Sequence, residues 1–109
     1  MPTTYKVLGQ LAPSATTLTT LYTVPAATSA VVSTIAVTNR AATAATFRIA
    51  IRVAGAGISN EDYIAYDSTV AANDTTAFTI GVTLAATDVL SVYASTANLS
   101  FNAFGSEIS

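Results

Sequence analysis

Residues 30–53, AVVSTIAVTNRAATAATFRIAIRV, decide the fold. In the second half Phe47, Ile49, Ile51 and Val53 alternate with Arg48, Ala50 and Arg52. Side chains of an extended chain point to opposite faces in turn. The alternation therefore puts apolar groups on one face and guanidinium groups on the other, the pattern of a half-buried strand. Val31, Ile35 and Val37 give the first half a matching apolar face, broken by Ser33, and the small residues from Asn39 to Ala45 supply a turn. The stretch reads as two β-strands folded back on each other.

The same pattern continues to both sides. Towards the N-terminus, Leu21–Val24 makes a strand that stops at Pro25, and Tyr5–Leu11 reads as another short strand. Between them lies a low-complexity segment in which Pro13 bars regular pairing. Residues 1–20 are thus expected to form an N-terminal arm, its sharper reading being a segment that orders on a neighbouring subunit, and residues 21–109 a single domain. Towards the C-terminus, AGAGISNED (54–62) is a flexible loop, followed by a strand at Tyr63–Tyr66. Phe78, Ile80, Val82 and Leu84 alternate with Thr79, Gly81 and Thr83 as one amphipathic strand. Val89–Ala94 and Leu99–Phe104 close the series. Seven or eight short strands at roughly 8 to 14 residue spacing, with no helical period, predict an all-β fold: an antiparallel β-sandwich, jelly-roll-like.

Composition limits what such a body can do. In 109 residues there is room for one domain, and Ala with Thr makes up more than a third of the chain, so the core is expected to be a thin layer of larger apolar residues between two sheets. Charged residues are only 9%, against a usual ~25%, which weakens repulsion between copies and favours association. A net charge of −2 with four basic residues argues against a nucleic-acid site. Thr, Ser and Asn interrupt every apolar run before it approaches the ~18 residues of a membrane span. Met1-Pro2-Thr3-Thr4 lacks the basic and apolar regions of a signal peptide, and the expected place of assembly is the cytoplasm.

Chemistry is sparsely represented. The chain has no His and no Cys, which removes the commonest bases, nucleophiles and soft metal ligands together. Glu61, Asp62, Asp67, Asp74 and Asp88 fall in turns or at strand ends, where carboxylates ordinarily cap backbone N–H groups. Asn60-Glu61-Asp62 and Asn73-Asp74 offer hard oxygens, but neither matches a calcium-loop spacing. No catalytic residue, cofactor or metal is therefore expected. Residues suited to contacts with other chains remain. Arg48 and Arg52 point the same way from one strand, about 13 Å apart, and could grip an acidic neighbour. The tyrosines Tyr5, Tyr22, Tyr63, Tyr66 and Tyr93 carry a polar tip on an apolar body, which suits subunit contacts or stacking on sugars. Lys6, the sole lysine, sits in the expected arm. Phe101 and Phe104 fall on opposite faces of the last strand, so one of them must meet the arm or another chain. Tyr5, Lys6, Arg48, Arg52 and Phe104 are the interface candidates.

The segments LYTVPAATSAVVSTIAVTNRAATAATFRIAIR, EDYIAYDSTVAANDTTAFTIGVTL and ATDVLSVYASTANLSFNAFGSEIS resemble small virion structural proteins of tailed bacteriophages, particularly those of marine and freshwater cyanobacteria. TVPA before a strand, TFRIA, IAYD and the closing NLSFNAFG carry the resemblance, which runs from Tyr5 over nearly the whole chain. It implies location in the virion and no catalytic signature. A small β-sandwich with an arm is further similar to capsid decoration, or cement, proteins. These bind the outer shell at symmetry axes, often as trimers. The expected partners are then the major capsid protein or other virion proteins, together with further copies of this chain, with neither nucleic acid nor membrane. A connector or adhesion module of the tail, neck or fibre, meeting host glycans or a tail protein through loops such as 54–62, is the alternative.

Overall fold

A computed structural model describes residues 3–79 and 81–109. Its strands are β1 (Thr3–Leu11), β2 (Thr19–Thr23), β3 (Ser29–Asn39), β4 (Ala45–Arg52), β5 (Tyr63–Val70), β6 (Thr75–Phe78), β7 (Val82–Leu84), β8 (Val89–Ala94) and β9 (Leu99–Ile108). They form two antiparallel sheets, β1-β9-β3-β6 with β7 also on β3, and β2-β8-β4-β5. The first strand pairs with the last, β2 with β8, β3 with β6 and β7, and β4 with β5. This nested pairing is that of a hairpin rolled up into two layers, the jelly-roll winding. No helix among the described residues is long and apolar enough to cross a membrane.

The decisive stretch folds back as expected but not as a hairpin. β3 and β4 lie in opposite sheets and face each other across the core, joined by an arch at residues 40–44. Asn39 holds the arch. It is 1% exposed, its Nδ2 donates to the carbonyls of Thr43 (2.8 Å) and Ala71 (3.3 Å), and its Oδ1 accepts from the Ala41 N–H (3.0 Å). One amide side chain thereby satisfies backbone groups of two loops that would otherwise be stranded near the core.

Three further expectations are corrected. The sequence pattern puts Val31, Ile35 and Val37 on the apolar face of β3, whereas the inward residues are Ala30, Val32, Ile35 and Val37. The register against β9 shifts between Val32 and Thr34, so Ser33 is an extra residue that resets the alternation and turns Val31 outward. Val53, assigned to the core face, is 65% exposed at the start of a single 3-10 turn. The strand expected over Phe78–Leu84 is broken into β6 and β7, giving nine strands among the described residues rather than seven or eight. Gly81, with φ of +68°, lies in the break, opposite the Ser33 bulge. Ile80 lies outside the described residues. Phe78, Val82 and Leu84 nonetheless pair with Ile35, Val32 and Ala30, so all three keep the core side that their alternation demanded.

The expected arm divides. Residues 3–11 are the edge strand β1, paired along its length with β9 of the same chain, with Leu8 in the core. A side chain at Gly9 would strike the Leu21 carbonyl, so the glycine is what allows β1 to close against β2 at this edge. β1 is thus ordered by its own sandwich, and residues 12–18 carry the chain from one sheet to the other.

The middle of the core is aromatic. Phe47 of β4 meets Phe78 and Phe101 edge-on, with ring centroids 5.7 and 6.2 Å away, so one ring joins both sheets.

Candidate interaction surfaces

The sandwich presents two outer sheet faces of different chemistry. On the β1-β9-β3 side the register places Tyr5, Ser106 and Val31 in one outward row, with Thr83 beyond. The next row has Val7, Phe104 and Thr34. Tyr5 is 83% exposed, and Val7 and Phe104 are also exposed. β1 bulges at Leu8 against the Ala103–Phe104 step of β9 and β3 bulges at Ser33 against the adjoining Phe104–Gly105 step, and the Ser33 hydroxyl donates to the Phe104 carbonyl at 3.1 Å. A shallow hollow of about 580 Å³ lies over this crease, walled by Tyr5, Val7, Val31 and Phe104. Lys6 borders it with its ammonium engaged by Glu107 at 3.2 Å.

On the other face, Arg48 lies between two rings. Its guanidinium carbon is 4.1 Å from the centroid of Tyr66 and 4.4 Å from that of Tyr93, and its Nε donates to Asp67 at 2.7 Å. The Asp67 carboxylate is the first cause of the guanidinium's raised pKa, which holds the charge at every working pH. β5 supplies both Tyr66 and Asp67 to this side because its register against β4 shifts there and Asp67 takes φ of +50°. Tyr63 extends the cluster, its ring 4.9 Å from Tyr66. Arg52 stands apart from this group: its Nε donates to Ser91 at 3.2 Å and its Nη1 to the Ala56 carbonyl at 3.3 Å, which ties down the 53–62 loop.

The five interface candidates therefore do not gather in one patch. Tyr5 and Phe104 share the hollow, Lys6 sits at its rim, and Arg48 and Arg52 lie on the opposite sheet with their donors used inside the chain. Phe101 is buried and Phe104 faces outward beside Val7, the two faces that their spacing required. Among the tyrosines, Tyr22 is misplaced by a surface reading. It is buried, and its hydroxyl donates to Glu107 Oε2 at 2.6 Å. Nothing local could have paired residues so far apart.

The carboxylates do turn and strand work. Asp88 accepts from the N–H groups of Ala54 (2.8 Å) and Ala85 (2.9 Å), Asp62 from Ser59 (2.9 Å) and Asp74 from Thr75 (2.8 Å). Among the described residues no group of three or more His, Cys, Asp or Glu side chains is placed to hold a metal ion. No protein-family model, no curated protein and no solved structure matches the chain.

Proposed function

We propose that this chain is a non-enzymatic structural subunit of a bacteriophage particle, a decoration or cement protein that lies on the shell and bridges subunits of the major capsid protein. The observation that carries this reading is a cross-braced sandwich, its two sheets tied through Phe47 and through Tyr22 and Glu107, with only ten charged side chains in 109 residues. Such a body suits packing among neighbouring proteins rather than capture of a charged small molecule or a phosphate backbone. Many weak contacts on a repeating lattice add up, because each clip joins subunits already held at high effective concentration. The sequence supports the non-enzymatic part by lacking His and Cys altogether. The particle is assembled, on this reading, in the host cytoplasm.

A second reading rests on the opposite face. The Arg48, Tyr66, Tyr93 and Asp67 cluster, with Tyr66 58% exposed, offers stacked rings beside hydrogen-bonding groups, which suits a tail, neck or fibre module meeting a tail protein or a glycan. Co-sedimentation of the purified chain with expanded shells and, separately, with purified tails decides between them. Binding to shells is the expected result, and binding to tails alone transfers the function to the second reading.

A further inference from the structure

We infer that the outer face of β1, β9 and β3 docks on a second copy of this chain. The inference rests on the structural-subunit reading above and names the surface by which copies meet.

Charge points to this occupant. Lys6 and Glu107 neutralise each other, Asp88 is buried, Arg40, Glu61, Asp62 and Asp74 lie in loops or single turns, and Arg48, Arg52 and Asp67 belong to the other sheet. By register Lys6 and Glu107 lie on the inward side of β1 and β9, Lys6 reaching the rim of the hollow as the partner of Glu107, and among the described residues none of the other eight charged side chains stands on the outer face of the β1-β9-β3 sheet. A symmetric contact sets a surface against itself, so any charge near the axis would meet its own like; a chargeless face avoids that cost. Its shape suits the same partner. The projecting Tyr5 stands beside the hollow over the Phe104–Gly105 crease, so one face carries both the knob and the hole that a copy of itself would fill.

Size agrees as well. Four strand positions and the nine residues of β1 cover roughly 19 by 30 Å. That is roughly 570 Å² in projection, and side-chain relief raises the accessible area towards the ~800 Å² per partner of an ordinary stable interface.

Sedimentation velocity of the full chain tests this across a concentration series, for the wild type, Tyr5→Glu, Ser106→Lys and the opposite-face control Thr20→Glu. Circular dichroism and thermal melts verify that each variant is folded; Tyr5 and Thr20 are exposed, so their substitution leaves the core untouched. The expected result is an oligomeric wild type and Thr20→Glu, with the dissociation constant raised at least ~100-fold in Tyr5→Glu and Ser106→Lys. Oligomers undisturbed by both substitutions overturn the choice of face. A wild type monomeric at every concentration overturns association itself, while shell binding, read separately by co-sedimentation, still reports on the particle role.

Discussion

The Tyr22 hydroxyl donates a 2.6 Å hydrogen bond to Glu107, joining β2 of one sheet to β9 of the other. Lys6 on β1 approaches the second carboxylate oxygen at 3.2 Å, so three strands and both sheets meet at one acid. The Tyr22 bond, then Lys6, hold the Glu107 carboxyl below its ordinary range against the opposing effect of burial. A group whose pKa is lowered by folding stabilises the native state above its unfolded value of ~4.3, and that stability is lost as pH falls through the folded value. Urea midpoints measured from pH 7 down to pH 3 should fall more steeply for the wild type than for Glu107→Gln. At the alkaline end Tyr22, pushed up first by burial and then by Glu107, keeps its proton when an unfolded tyrosine would lose it, so stability should decline above pH ~10. Tyr22→Phe should remove that decline and cost about 1.5–3 kcal/mol at neutral pH.

Replacing Asn39 by Leu should destabilise the fold by about 2–3 kcal/mol. The cost arises because the carbonyls of Thr43 and Ala71 and the Ala41 N–H lose their partner in a place water does not readily reach. Chemical denaturation measures it.

Two glycines should respond differently to the same methyl group. At Gly105 a Cβ would lie inside contact distance of the Val31 carbonyl oxygen, so Gly105→Ala must push β9 off β3 and should cost about 3 kcal/mol or more. At Gly81 no atom of the described residues beyond its chain neighbours stands within 4 Å of an added Cβ and only the positive φ resists, so Gly81→Ala should cost about 1 kcal/mol. Thermal melts of the two variants give the ordering.

Phe47→Ala should be among the most damaging single substitutions, at about 3–5 kcal/mol, because it empties the place where both sheets meet through Phe78 and Phe101. Phe104→Ala, on the outer face, should cost far less by the same denaturation assay.

The fold was legible wherever period two ran without interruption. Phe47, Ile49 and Ile51 alternate cleanly against arginines, and the odd spacing of Phe101 and Phe104 fixed their opposite faces. Reading failed where one extra residue resets the phase: Ser33 makes a bulge whose only mark in the sequence is the pair Val31-Val32. It failed again at Asn39, because an asparagine before a run of small residues reads equally as hairpin turn or as arch, and only the sheet to which the next strand is added separates them. The surfaces were less legible still. Lys6 and Glu107 lie 101 residues apart, and Arg48 reaches Asp67 only because β5 bulges at that point. Such contacts are fixed by topology, and no local pattern encodes them.

Quantitative mass spectrometry of purified bacteriophage particles, those to which the proposal assigns this chain, tests the proposed role most directly. A shell-bound cement subunit predicts a copy number comparable with that of the major capsid protein. Particles that contain none of the chain would contradict it.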